Sequence, residues 1–83
     1  MKYSVVFLNV FLKQFKKIPS DMQERIKQRI LQLVENPYLG LGLRGNLEGF
    51  WKDRLGEYRI IYKIEKDTIV FYDIDLRKRI YDR

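Results

Sequence analysis

Two basic side chains two positions apart, Lys52 and Arg54, are followed by Arg59, and a dense basic run, Arg77-Lys78-Arg79, leads into Tyr81. These residue types suit phosphate chemistry. A guanidinium offers a rigid fork of N–H donors to two phosphate oxygens, and an ammonium acts as a point charge. Lysine and tyrosine also move protons. Both titrate near ~10 in water, and a cationic neighbourhood favours their deprotonated forms. The chain has no histidine and no cysteine. That removes the side chain that titrates near neutrality, along with imidazole and thiolate metal sites. No metal and no cofactor are expected, and acid–base work falls to lysine, tyrosine, arginine or carboxylates.

The net charge is +6, which points to a polyanion or an acidic protein as partner. The bland reading is solubility. Clustering argues against it, because each close pair of like charges costs on the order of 1 kcal/mol at surface-like screening. Folding gains nothing from such a cluster, whereas a bound polyanion would. The 83 residues form one domain, 1–83, and a hydrophobic share of 46% supports a packed core rather than disorder. The lack of disulfides suits a reducing cytoplasm. No apolar run approaches the ~18 residues of a membrane span, and Met1 to Leu12 lack a signal-peptide layout. A cytoplasmic protein without membrane contact is expected.

The elements that must position these cations follow from periodicity. Lys2 to Leu8 reads as a strand, with Asn9 as N-cap of a short helix whose apolar stripe is Phe11, Phe15 and Ile18. Pro19 breaks the chain, and Ser20 to Gln23 resembles a capping box. A second helix runs to about Asn36, with Met22, Ile26, Ile30, Leu33 and Val34 inward and Arg25, Gln28, Arg29 and Gln32 outward. Pro37 ends it, and a glycine-rich loop spans 37–49. From Phe50 the period is two, giving strands at FWKDRL, EYRIIYKI and TIVFYDID with turns at Gly56-Glu57 and Lys66-Asp67. The expected class is α+β in the order β-α-α-β-β-β. A helical hairpin packs on one face of a small, mainly antiparallel four-stranded sheet.

Alternation then sorts the side chains. Tyr58, Ile60, Tyr62 and Ile64 form the core face of their strand, and Trp51 and Leu55 form that of the strand before. Asp53 fits this inward set poorly. Lys52, Arg54 and Arg59 project from the open face, and the tail could fold back beside them. Each has a structural alternative. Lys52 and Lys63 could guard sheet edges. Arg54 could pair with Glu57, and Arg59 could form a structural salt bridge. The tail could be solvated, and Tyr81 could pack its ring. Phe50 and Trp51 read as core.

The segments Leu43-Arg44-Gly45 and Gly49-Phe50-Trp51-Lys52-Asp53-Arg54-Leu55-Gly56-Glu57-Tyr58-Arg59-Ile60-Ile61-Tyr62 closely resemble the RelE/ParE toxin superfamily. So does the ending Ile74 to Tyr81, and the resemblance covers essentially the whole chain. It implies the toxin of a type II toxin–antitoxin pair, in the RelE-like branch that cleaves mRNA in the ribosomal A site. It further implies a RelB-like antitoxin with an acidic toxin-binding segment. Carried over by position, the catalytic set is Lys52, Arg54, Arg59, Arg77 and Tyr81, with Arg44, Lys78 and Arg79 binding RNA. Where many relatives carry histidine this chain has Leu76, and where some carry a second strand lysine it has Arg54. Arginine rarely releases its proton, so Arg54 is expected to stabilise charge.

The expected reaction is attack by the RNA's own 2′-OH on the adjacent phosphate, with Arg59 and Arg77 neutralising the developing charge. Lys52 or Tyr81 would move the proton; Tyr81 could instead stack on a base. Three alternatives stay open: a ParE-like gyrase inhibitor without enzymatic activity, an RNA-binding module without turnover, and a toxin that keeps the fold but not the rate.

Overall fold

A computed structural model describes residues 3–80, for Arg79 and Ile80 the backbone alone. The elements are β1 (Ser4–Phe7), α1 (Asn9–Lys16), α2 (Ser20–Glu35), β2 (Leu41–Gly42), β3 (Phe50–Leu55), β4 (Tyr58–Glu65), β5 (Thr68–Leu76) and α3 (Arg77–Ile80). Single 3-10 turns lie at Pro37–Leu39 and Gly45–Leu47.

The sheet has five strands in the order β1-β5-β4-β3-β2, where four were expected. The additional strand, β2, is two residues long and lies in the glycine-rich stretch read as loop. Its register, Leu41 with Lys52 and Gly42 with Trp51, comes from backbone pairing. So short a strand leaves no alternation to detect. β1 pairs parallel to β5, and the other neighbours are antiparallel.

The helical hairpin covers one face of this sheet, as expected. Phe11 from α1, Ile18 from the corner after it, and Ile26, Ile30 and Leu33 from α2 pack on Ile60, Tyr62, Ile69, Phe71 and Ile74. Phe11 contacts the rings of both Phe7 and Phe71. The hairpin is latched by a different residue from the one anticipated. Leu8 and Pro19 occupy the N-cap positions of α1 and α2, and neither helix has a side-chain cap. Asn9 already lies inside α1, and Ser20 opens α2 without closing a capping box. Gln23 instead turns back: its Nε2 donates to the carbonyls of Phe15 (3.0 Å) and Ile18 (2.9 Å). The Phe15 carbonyl also accepts the Ile18 N–H at 3.1 Å, so Gln23 adds a side-chain bond where α1 ends in a tightened turn.

Two tight hairpins build the meander. Leu55 pairs with Tyr58 around Gly56-Glu57, and Glu65 pairs with Thr68 around Lys66-Asp67. Gly56 takes φ +59°, which glycine adopts without strain, while Lys66 takes φ 54°. The pairing of β4 with β5 shifts between Ile61 and Tyr62, where Tyr72 is the extra residue. No helix among the described residues is long and apolar enough to cross a membrane.

Candidate active site

The β3–β4 hairpin fixes the positions of the strand cations. Arg54 lies directly opposite Arg59, and Lys52 lies opposite Ile61. With Trp51, Leu55, Tyr58 and Ile60 on the helix side, alternation turns Lys52, Arg54 and Arg59 to the uncovered face. Lys52 and Arg54 are two strand residues apart, about 7 Å. On its other side Arg59 has Asp75 of β5 as cross-strand neighbour.

These cations converge on one cleft. Leu39, Gly40, Leu41, Lys52, Asp53, Arg54 and Arg59 line a depression of about 480 Å3. It opens where β2 stops: β2 pairs with Trp51 and Lys52 only, so the edge of β3 beyond Lys52 carries no further strand. The wall at Gly40 is set by close approach. A Cβ there would collide with the Tyr62 hydroxyl and stand 2.7 Å from the Lys52 carbonyl oxygen. Tyr62 in turn donates its hydroxyl to the Pro37 carbonyl at 2.6 Å, fixing the chain that leads into the wall. Burial, reinforced by Asp53, pushes Tyr62 up to about 12. It serves as a fixed donor rather than a base.

Behind the cleft lies a contact absent from the sequence reading. Arg29, expected to face solvent, grips Asp53 with two N–H groups, Nε to Oδ2 at 2.7 Å and Nη2 to Oδ1 at 2.8 Å. Its Nη1 also donates to Gln32 Oε1 at 2.9 Å. The hydrogen bonds to Asp53 raise the Arg29 pKa further. Asp53 is buried, and this pairing is what accommodates an acidic residue on an inward strand face. Two signals pointed here: Asp53 interrupts the Trp51–Leu55 face, and Arg29 lies three residues after Ile26, on the core stripe of α2.

The remaining candidates fall as follows. Arg54 is exposed, and its Nε donates to the Gly56 carbonyl at 3.3 Å rather than pairing with Glu57. Arg59 is only 7% exposed, more enclosed than alternation alone implies. Arg77 is exposed and opens α3. Its backbone N–H donates to the Glu57 carbonyl at 2.7 Å, which brings it to the same end of the hairpin as Arg54 and Arg59. Lys78 follows it, exposed. Arg44 does not join the cleft. It precedes the 3-10 turn and follows Leu43, whose N–H donates to the Phe50 carbonyl at the end of β3 away from Arg54; Phe50 and Arg54 are four strand residues, about 13 Å, apart. The side chain of Arg79, and all of Tyr81, lie outside the described residues.

Phe50, read as core beside Trp51, points the opposite way. Successive strand residues alternate, and Phe50 meets the bulged Tyr72 on the open face, ring centroids 4.9 Å apart at 73°. Lys63 Nζ lies 5.3 Å over the Phe50 ring and 3.2 Å from Glu65.

Comparison with known proteins places this geometry in context. Residues 5–81 match the family model described as the ParE toxin of type II toxin–antitoxin systems, parDE. The chain is similar to Toxin RelE3 of Methanocaldococcus jannaschii, 31% identical over 94% of each chain. It is similar to the mRNA interferase toxin RelE of Escherichia coli, 25% identical over 95% of this chain and 85% of that one. Among solved structures, the toxin–antitoxin complex RelBE2 of Mycobacterium tuberculosis contains a chain that superposes with a TM-score of 0.84. It is 27% identical, with coverage of 93% of this chain and 100% of that one.

Proposed function

This chain belongs to the RelE/ParE superfamily of toxins of type II toxin–antitoxin systems, and we propose that within it the protein is a metal-independent endoribonuclease acting on mRNA in the ribosomal A site. The observation that carries the reading is the convergence of Lys52, Arg54 and Arg59 on one cleft, with Arg77 at the same end of the hairpin. The E. coli relative's description as an mRNA interferase supports it.

The chemistry follows from these side chains. The 2′-oxygen of RNA loses its proton and attacks the adjacent phosphorus, and the bond to the 5′-oxygen breaks as that oxygen takes up a proton. The products are a 2′,3′-cyclic phosphate and a free 5′-hydroxyl. Arg59 and Arg77 neutralise the extra negative charge on the phosphate oxygens, and Arg54 adds to that field. Lys52 or Tyr81 handles the proton. Arg44, Lys78 and Arg79 hold flanking phosphates. A catalyst with no side chain that titrates near neutrality gains most from having its RNA held in line, and such positioning contributes several kcal/mol, which is the part assigned to the ribosome. The relatives' complexes with antitoxins support a RelB-like partner whose acidic segment offsets the exposed cations in the cytoplasm.

Primer extension on mRNA with the purified chain, with and without ribosomes, tests this. Cuts that require ribosomes and leave cyclic phosphate ends are expected. A second reading, inhibition of DNA gyrase, is favoured by the ParE family match alone. Blocked supercoiling with intact mRNA would establish it and remove the first.

A further inference from the structure

The uncovered face of the sheet carries more carbon than a solvent face requires. When one face of an antiparallel sheet is packed, the other is ordinarily polar. Here Phe50 and Ile61 point outward, and the bulge adds Tyr72. With Leu43 and Leu47 from the preceding loop they enclose a cavity of about 490 Å3. The edge-to-face contact between Phe50 and Tyr72 orients both rings, and Lys63 braces the first.

Lys52 lines both this cavity and the cationic cleft. A ligand gripped by a phosphate at the cleft therefore carries its next chemical group towards apolar walls. In single-stranded RNA that group is a base: flat and apolar on its faces, polar at its edge. The cavity matches in kind, with aromatic and aliphatic walls and Asp73 as a polar group in its lining. An apolar side chain of an acidic protein would also suit the walls and could bring a carboxylate to Lys52, which makes that occupant the competing outcome of the test below.

Resting on the nuclease reading of the cleft, we propose that the cavity formed by Phe50, Ile61, Tyr72, Leu43 and Leu47 receives an unpaired base adjacent to the scissile phosphate.

The test is the affinity of the full chain for ribosomes whose mRNA has a methylated scissile 2′-oxygen, so that binding is read without cleavage. Bases of the A-site codon and its neighbours are removed one at a time, leaving abasic sugars. Wild type should lose roughly 5- to 150-fold in affinity at one position beside the scissile bond. Tyr72→Ala and Leu47→Gln should bind intact mRNA more weakly and be indifferent to that abasic position. Leu47 is 53% exposed, so its replacement leaves the core intact even if Tyr72→Ala perturbs the bulge. Equal sensitivity in wild type and both variants overturns the subsite, as does no sensitivity in wild type. Variants that keep the base sensitivity and lose affinity for a protein antitoxin would assign the cavity to that partner and overturn it too. Base sensitivity in a wild type that leaves unmodified mRNA uncut would support the subsite while removing the nuclease.

Discussion

Arg54 and Arg59 stand directly across from each other on β3 and β4, two cations in one cross-strand pair. Like charges in that position destabilise a sheet by roughly 0.2–1 kcal/mol. Arg54→Thr should therefore stabilise the free chain by a few tenths of a kcal/mol. The same change should slow cleavage by at least about tenfold. Urea midpoints and ribosome-dependent primer extension read the two effects. A variant both less stable and equally active would contradict the role given to Arg54.

Arg59 lines the cleft from a central strand, and Arg77 opens α3 at the same end of the β3–β4 hairpin. Arg59→Ala and Arg77→Ala should each reduce cleavage by about 100-fold or more while circular dichroism shows an intact fold. Arg59→Lys should recover little, because an ammonium cannot reproduce the two-pronged contact. Undiminished cleavage by the double alanine variant would remove both residues from the mechanism.

The Arg29–Asp53 pair ties α2 to β3 behind the cleft, with Asp53's side chain 6% exposed and Arg29's 26%. Removing either partner leaves a poorly solvated charge. Asp53→Ala should cost about 3 kcal/mol, and replacing both with apolar residues, Arg29→Met with Asp53→Leu, should recover most of that loss. A double-mutant cycle by denaturant unfolding measures the coupling. Additive losses would mean that the two side chains contribute independently.

Tyr62 gives the stability a distinctive alkaline limb. Its folded value of about 12 lies above the ~10 of an unfolded tyrosine. The neutral hydroxyl thus stabilises the fold fully below pH ~10. That contribution is lost as pH rises from ~10 to about 12, at up to about 1.4 kcal/mol per pH unit. Tyr62→Phe should flatten this limb and cost about 1–2 kcal/mol at neutral pH through the hydrogen bond to Pro37. Unfolding midpoints between pH 8 and ~12 decide it; parallel curves for variant and wild type would refute the assignment.

Lys66 occupies the left-handed region at φ 54°, in a turn whose counterpart uses Gly56. A side chain there costs about 1 kcal/mol. Lys66→Gly should raise stability by up to that amount and leave cleavage unchanged, since this turn lies at the opposite end of β4 from Arg59. A loss of stability in thermal melts would show that Lys66 contributes more than its backbone strain removes.

The helical stripe, the two-residue hairpins and the strand positions of Lys52 and Arg54 were legible because period and turn chemistry are local, whereas the burial of Arg59 was not. Other features depend on partners distant in sequence. Arg29 reads as solvated until Asp53 arrives from another element. Phe50 reads as core because its type outweighed its phase relative to Trp51. β2 is too short to carry a pattern, and the bulge at Tyr72 is a mismatch between two strands that neither shows alone. Gln23 resembled part of a cap and instead bonds across the helical corner, a choice set by the turn at Pro19.

The parallel pairing of β1 with β5 has a consequence for synthesis. Ser4 waits for Thr68, and Phe7 for Phe71, before either edge of that ladder is satisfied. A nascent chain that still lacks β5 holds the helical hairpin but has no complete sheet for it to cover. Contacts of such long separation form late and slowly. Completion of the sheet is thereby tied to synthesis of β5, so a chain terminated before Thr68 would be a substrate for proteolysis.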